Sequence, residues 1–339
     1  MVNAPHKSIL MPNRTYQAMV RSEIKKIAQS IGFTTRRLAE VEIIVAEMTS
    51  NLSKHSTQGG QLLVKEIAGN QPSGIEIICI DNGPGMVMPA RMLEDGVSTS
   101  NTLGQGLGAI RRLSDEFDLY SRKDWGTILL ARVFVQKKQV SAGKKTMGVN
   151  VVMLAKTGEE ACGDNWTTIR KGNQLKLALL DGLGHGPNAA LAAEKGVEAF
   201  HQYGTDLPNE QLKNIHAAIR KTRGAVIGIA HIDFTNRQLL YSGVGNISGK
   251  LFSAGKLRPC MSYNGIVGHT IPGTINNYVF VWEKNDMLIL HSDGLSGRWD
   301  LQKYPQITRH DGSILAAALY KDHCRGNDDV TIAVTRYLN

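Results

Sequence analysis

From residue 149 onward, apolar runs of strand length recur, and several of them stop or start on an aspartate. Asp181 follows the run 175–180, Asp293 follows 287–291, and Asp328 and Asp329 precede 330–334, while Asp164 stands in the turn Cys162-Gly-Asp-Asn. Carboxylates so far apart in sequence meet only if a folded sheet brings strand ends together, and carboxylates that meet need cations. Each alone is an ordinary turn residue. Several in this arrangement restrict the second half of the chain to a β-rich core with acids gathered at one end.

Length and composition set the frame around that core. At 339 residues the chain exceeds what one hydrophobic core usually supports, which predicts two domains. Thirty-five glycines point to tight turns or to backbone that approaches a ligand closely. The net charge of +9 invites a nucleic-acid reading, but residues 1–137, 138–148 and 149–339 carry an excess of +3 each. Only the stretch 136–145 is concentrated, and it reads as a solvated basic linker, so no nucleic-acid partner is expected. Cys79, Cys162, Cys260 and Cys324 form no CxxC pair and are expected as free thiols. The first residues lack an apolar signal core, and no uncharged apolar run reaches the roughly 18 residues of a membrane helix. A cytoplasmic protein without membrane contact is the expectation.

Helical periodicity covers 15–31, with Met19, Val20, Ile24, Ile27 and Ile31 on one face, and 35–55, with Leu38, Val41, Ile44, Val45 and Met48 inward. Strands follow near 60–68 and 74–80, then a helix at 107–117 and a hairpin over 118–135 across Asp124-Trp-Gly. The predicted first domain, 1–137, is α+β, with helices over one face of a mixed sheet. After the linker 138–148, strands are predicted near 149–155, 175–180, 225–233, 238–242, 248–253, 278–282, 287–291 and 329–336. Helices fall near 187–203, 208–221 and 312–321. A two-sheet sandwich flanked by helices is the expected architecture of 149–339.

Three pieces of the first domain carry chemistry. Glu47 and Asn51 lie four apart, on one helix face. Asp81-Asn-Gly-Pro-Gly85 ends a buried strand, where an Asp can accept from an exocyclic amine and Gly83 and Gly85 let backbone reach a flat base. Gly104-Gln-Gly-Leu-Gly108 enters a helix, whose free N–H groups and dipole favour phosphate. Each has a bland counterpart: a wet helix face, an Asx turn, a flexible loop. Their order, however, resembles the GHKL-type ATPase fold, and residues 93–121 resemble its RsbT-type switch-kinase branch, which phosphorylates Ser/Thr of small STAS-domain antagonist proteins. The resemblance covers about 9–134. It implies Glu47 as general base, Asn51 as Mg²⁺ ligand, Asp81 as adenine contact, and Gly83, Gly85, Gly104, Gly106 and Gly108 shaping the ATP pocket and its lid.

The second half resembles the PPM-type, SpoIIE-like metal-dependent Ser/Thr phosphatases, nearest their small RsbX-type branch. The matching pieces are Cys162-Gly-Asp-Asn, Asp181-Gly-Leu-Gly-His-Gly, Lys221-Thr-Arg-Gly-Ala, Ser242-Gly-Val-Gly-Asn, His291-Ser-Asp-Gly-Leu and Asn327-Asp-Asp-Val-Thr. The resemblance implies an αββα sandwich and Mg²⁺ or Mn²⁺ held by Asp181, Asp293 and Asp328, with Gly182 through its carbonyl and Asp164 as ligand or ligand support. Asp328 is preferred over Asp329. Val226 departs from the small hydroxyl residue of the family, and Gly163 from the acid of eukaryotic relatives. His185 reads equally as a general acid beside the metals or as a turn residue, His55 as a helix-end residue, Lys54, Arg111 and Arg112 as a wet helix face, and Trp166 and Trp299 as packing.

The expected whole is a partner-switching regulator: an ATP-dependent Ser/Thr kinase of STAS-domain antagonist or scaffold proteins, fused to a metal-dependent phosphoprotein phosphatase. A sigma-factor module or a further regulatory phosphatase belongs to the same circle of partners. Two other readings stay open, a phosphatase whose ATP domain only senses nucleotide, and a non-catalytic anti-sigma-like binding module.

Overall fold

The computed structural model describes residues 4–56, 59–68, 72–89, 106–137, 148–205 and 207–336. Packing divides the chain into two compact units. The amino-proximal unit holds His6–Gly143 together with Tyr304–Ala318, and the sandwich unit holds Lys144–Lys303, Leu319–Asn339 and the first five residues.

In the amino-proximal unit the elements run β1 (Lys7–Met11), α1 (Gln17–Ile31), α2 (Thr35–His55), β2 (Gly60–Ile67), β3 (Gly74–Asp81), α3 (Gly106–Leu113), β4 (Glu116–Arg122) and β5 (Gly126–Phe134). The sheet order is β1-β2-β3-β5-β4. Every neighbouring pair is antiparallel, so the mixed sheet expected above is corrected. The long connection after β3 delivers β4 to the sheet edge, and β5 returns by hairpin to lie antiparallel between them. The helix expected over 107–117 stops at Leu113, because Asp115 turns the chain by accepting from the Phe134 N–H (2.8 Å) and Glu116 already pairs with Arg132. Val20, Ile24 and Ala28 form the buried stripe of α1, whereas Met19, one residue off that stripe, is 48% exposed rather than inward. Gly32, at φ +89°, ends the helix in a conformation that costs glycine little. Thr34 caps α2 through Arg37 N–H, and Val41, Ile44, Val45, Met48 and Leu52 are buried along it.

Alternation then decides what each sheet face meets. Ile75, Ile77 and Cys79 of β3 and Leu129, Ala131 and Val133 of β5 join the helices in one core. The opposite face is also dry, with Ile78, Ile80, Ile128 and Leu130 buried. Across it runs a row of charges set by register: Lys65 opposite Glu76, Glu76 opposite Arg132, and Arg132 opposite Glu116. Glu76 accepts from Lys65 Nζ (2.9 Å), Arg132 Nε (2.6 Å) and Ser313 Oγ (3.2 Å), and lies 3.0 Å from His6 Nε2. Arg132 forks onto Asp311, both N–O distances 3.0 Å, and donates to Ser313 Oγ (2.8 Å). Burial would raise the Glu76 carboxyl, but Lys65, Arg132 and His6 outweigh it and hold it well below the usual range. Asp118 accepts from the Asp311 N–H (2.6 Å) and pairs with His310 (2.8 Å). Residues 304–318 are thus bound to this sheet by side chains of three strands.

The sandwich unit contains β6 (Gly148–Leu154), β7 (Asp164–Lys171), β8 (Gln174–Gly182), α4 (Pro187–Gln202), α5 (Pro208–Ala218), β9 (Ala225–Asp233), β10 (Gln238–Val244), β11 (Ser248–Ser253), β12 (Lys256–Cys260), β13 (Tyr278–Val281), β14 (Met287–His291) and β15 (Val330–Arg336). A helix over Gly312–His323 precedes the last strand. Two five-stranded antiparallel sheets form, β13-β10-β9-β8-β7 and β12-β11-β14-β15-β6. Leu175, Leu177 and Leu179 of β8 point into the sandwich with Tyr241, Leu251, Leu288 and Leu290. The alternate residues Ala178 and Leu180 face Ala193, Val197, Phe200, Leu212 and Ile215 of α4 and α5. The four thiols are free, and no helix among the described residues is long and apolar enough to cross a membrane.

The charge row gives a test of this unit. Arg132→Met takes the guanidinium away from buried Glu76 and from Asp311 and is expected to cost about 3–5 kcal/mol. Glu116→Ala, removing a partner whose side chain is 35% exposed, should cost under about 1 kcal/mol. Hydrogen exchange of the β3 and β5 amides measures both.

Candidate active sites

Helix α2 places Glu47 and Asn51 on the face that meets the start of α3. A Cβ added at Gly106 would stand 2.6 Å from Glu47 Oε2 and 3.9 Å from Asn51 Oδ1, so a larger residue there would push against the Glu47 carboxylate. Gly108 is buried in the same helix. At the end of β3, Asp81 Oδ1 accepts from the Gly83 N–H at 2.7 Å, the Asx turn that such a sequence favours. A Cβ at Gly83 would lie 2.4 Å from the His55 carbonyl, and one at Gly85, already at φ +66°, 1.7 Å from the Arg122 carbonyl. The loop is tied down by Met86 N–H to Ser121 Oγ (2.9 Å) and Asp124 N–H to the Pro84 carbonyl (2.7 Å). Glu47, Asn51 and Gly106 therefore come together, and Asp81 with Gly83 stands against the last turn of α2. Gly104 lies outside the described residues.

The aspartates gather at one end of the sandwich unit. Asp164 opens β7 and Asp181 ends β8, and register sets the two directly opposite each other. Asp164 is buried, accepts from Ser292 Oγ at 2.6 Å, and has its other oxygen, Oδ1, buried without a partner. Ser292 is itself fixed by the Thr331 N–H at 2.9 Å. Asp293 follows one residue later and accepts from Asn246 Nδ2 (2.8 Å). Asp329 spends both oxygens on backbone, accepting from Lys156 N–H (2.8 Å) and Gly163 N–H (2.9 Å). Its neighbour Asp328 accepts only the Asp329 N–H, at 2.9 Å, among the described contacts.

Electrostatics follow from that crowding. Burial first, then the charges of Asp164, Asp293, Asp328 and Asp329, push the Asp181 carboxyl up to about 9. Burial also pushes Asp164 up to about 7, against the hydrogen bond from Ser292 and with the charges of Asp329 and Asp293 adding to the rise. Asp293 is raised by burial and by Asp328, with Arg325 opposing. Among the described residues no three His, Cys, Asp or Glu side chains stand in a ready-made chelating group. The donor set nevertheless fits a hard cation: like-charged oxygens pressed together, one of them buried with nothing to bond.

Glycines and loops shape the surroundings. A Cβ at Gly182 would fall 2.1 Å from the Ala189 carbonyl, so the Asp181 turn packs directly on α4. A Cβ at Gly163 would fall 2.8 Å from Asp329 Oδ2 and 2.9 Å from Ala189 Cβ, which leaves no room for the acid that eukaryotic relatives carry. Val226 sits opposite Asp181 on β9 and packs against Gly245. His185 pairs with Glu159 at 2.6 Å, as a turn residue would. Trp299 is buried, in line with its reading as packing. Ser292 and Asn246, which hold Asp164 and Asp293, drew no attention from sequence although both lie inside quoted motifs.

Comparison with known proteins agrees with both halves. Residues 11–133 match the family model of the histidine kinase-like ATPase domain, and residues 171–337 that of the stage II sporulation protein E, SpoIIE. The serine/threonine-protein kinase RsbT of Bacillus subtilis (strain 168) is 35% identical over 107 residues, covering 32% of this chain and 80% of RsbT. The phosphoserine phosphatase RsbX of the same organism is 28% identical over 147 residues, 43% of this chain and 73% of RsbX. A chain solved in work on the bacterial stressosome superposes with a TM-score of 0.53 at 29% identity, over 57% of this chain and all of that one. RsbX crystallised with magnesium superposes with a TM-score of 0.52 at 24% identity, over 58% of this chain and 98% of that one, a likeness of fold.

The acid cluster predicts its own pH signature. Unfolded aspartates titrate near 3.9; raised folded values mean that the cluster binds more protons in the native state, so its contribution to stability is fully present below that value and is lost as pH rises through 7 and then 9. In protein stripped of divalent cations, Asp181→Asn should flatten this decline and raise the melting temperature at pH 8. Thermal scans across pH with and without chelator check it.

Proposed function

Because this chain belongs, through its amino-proximal unit, to the family of the RsbT serine/threonine-protein kinase and carries a SpoIIE-type phosphatase domain beside it, we propose a bifunctional partner-switching enzyme. One half transfers the γ-phosphate of ATP to Ser or Thr of a STAS-domain antagonist or scaffold protein, and the other hydrolyses such a phosphoester. The observation that carries the reading is the set of acids at the sandwich end, where Asp164 and Asp181 face each other and one Asp164 oxygen is buried without a partner.

In the phosphatase half, Asp181, Asp293, Asp328 and the Gly182 carbonyl hold Mg²⁺ or Mn²⁺, with Asp164 beside them. Asp329, with both oxygens on backbone N–H groups, holds the 156 and 163 loops instead, which favours Asp328 as the ligand. When bound, such ions act as Lewis acids toward phosphate and lower the pKa of water. Ser292 and Asn246 orient Asp164 and Asp293, so the carboxylates keep their aim when the charge on them changes.

In the kinase half, Glu47 would take the proton of the attacking hydroxyl, and Asn51, one turn along the same helix, would ligate the Mg²⁺ of ATP. Asp81 would contact adenine, and Gly83, Gly85, Gly104, Gly106 and Gly108 would shape the pocket and its lid, with the N–H groups at the start of α3 offered to phosphate. The fit of Gly106 against Glu47 and Asn51 supports this assignment.

Glu47→Ala is expected to slow transfer from γ-labelled ATP to a STAS-domain partner by ~10²–10⁴-fold, with ATP binding kept. Asp181→Asn should abolish release of phosphate from the phosphorylated partner and leave transfer intact. Autoradiography of the partner over time separates the two. ATP binding without transfer by the unaltered protein would reduce the first half to a nucleotide sensor, and phosphate release at the unaltered rate by Asp181→Asn would sink the phosphatase assignment.

A further inference from the structure

Behind the acid cluster lies a polar pair that the activity has not used. His291, the last residue of β14, is 1% exposed, and Trp299, eight residues on, is 5% exposed. The Trp299 indole N–H donates to His291 Nε2 at 3.1 Å, and His291 Nδ1 lies 2.8 Å from the Ser292 carbonyl. A carbonyl only accepts, so Nδ1 carries the proton and Nε2 the lone pair: the imidazole is neutral and locked in one tautomer by partners on both sides. Lys250 closes the far end. Its ammonium stands 3.8 Å from the Trp299 ring centroid and donates to the Gly297 carbonyl (2.8 Å) and the Trp299 carbonyl (3.4 Å), fixing the loop on which the indole is mounted.

The other end of the relay reaches the acids. Ser292, whose carbonyl His291 holds, places its Oγ on Asp164 Oδ2 (2.6 Å), and its neighbour is Asp293. One residue thus connects the carboxylate at the start of β7 with the carboxylate after β14. A buried imidazole with both nitrogens bonded is a costly way to fill an interior, since an apolar ring packs there without needing two partners. Its geometry orients the peptide that joins Ser292 to Asp293.

Resting on the metal-dependent phosphatase reading, we propose that Trp299 and His291 are positioning residues: the indole–imidazole pair sets the Ser292–Asp293 turn and thereby the placement of Asp293 relative to Asp164 when a cation binds. Neither residue touches the cation or the phosphoester. Outer hydrogen bonds of this kind typically change metal affinity by 10- to 100-fold.

The test titrates Mn²⁺ alone into the full chain by calorimetry and follows melting of the cation-free protein in parallel. Trp299→Phe keeps a ring under Lys250 and removes only the N–H. It is expected to fold and to bind Mn²⁺ at least about 10-fold more weakly. His291→Gln, which keeps an acceptor for the indole but loses the donor to Ser292, should weaken Mn²⁺ similarly, and it is read in place of Trp299→Phe if that variant does not fold. A lowered melting temperature with Mn²⁺ affinity unchanged shows a merely structural role and overturns the proposal, as does loss of fold in both variants. Failure of the unaltered protein to bind Mn²⁺ overturns the metal reading itself, and this inference with it.

Discussion

Two carboxylates set opposite each other on neighbouring strands govern the open end of the sandwich. Asp164, buried, and Asp181, half-buried, are cross-strand partners, and like charges so placed repel. Antiparallel register permits no escape sideways, because shifting either strand by one residue would turn its leucines out of the core. The repulsion has to be answered at the site: by protons, by the hydroxyl of Ser292 and the amide of Asn246, or by cations. Core packing of Leu175, Leu177 and Leu179 below the acids supplies the stability that such a site spends.

Much of this was readable before any coordinates. The helix over 35–55 and the strands over 225–233 and 287–291 show at those bounds because each carries a sustained apolar pattern, and 248–253 does so between its flanking turns. The strands that sequence reasoning passed over, β1, β7 and β12, are all at sheet edges. An edge strand such as Asp164–Lys171 presents few apolar residues, since one side of its ladder and much of its surface face water. The acids were legible as turn residues after apolar runs, but the hydrogen bonds that sort them were not. That Asp329 is consumed by two backbone N–H groups while Asp328 accepts one depends on where loops 156 and 163 come to rest. Ser292 was invisible for the same reason.

On the proposed function, a kinase site and a phosphatase site in one polypeptide are made in equal number, so the balance between them is set by occupancy, through ATP on one side and phosphorylated partner on the other, and not by expression. The two sites differ in how they are built. Close approach of backbone at Gly83, Gly85 and Gly106 defines the first, whereas crowded charge defines the second. Substitutions that add a methyl group threaten one, and those that remove a charge threaten the other.

The charge row of the amino-proximal unit has a consequence for how the chain is made. Its sheet is fully translated once β5 has emerged, yet Arg132 and Glu76 acquire Asp311 and Ser313 only when some 180 further residues have followed. At ribosomal rates of roughly 5–20 residues per second, that interval is on the order of 10–30 s. Throughout it, an arginine and a glutamate destined for burial have each other, His6, Lys65 and Glu116 as partners but neither Asp311 nor Ser313. The unit that starts at His6 is therefore finished only after residues 304–318 have been made, later than most of the sandwich strands.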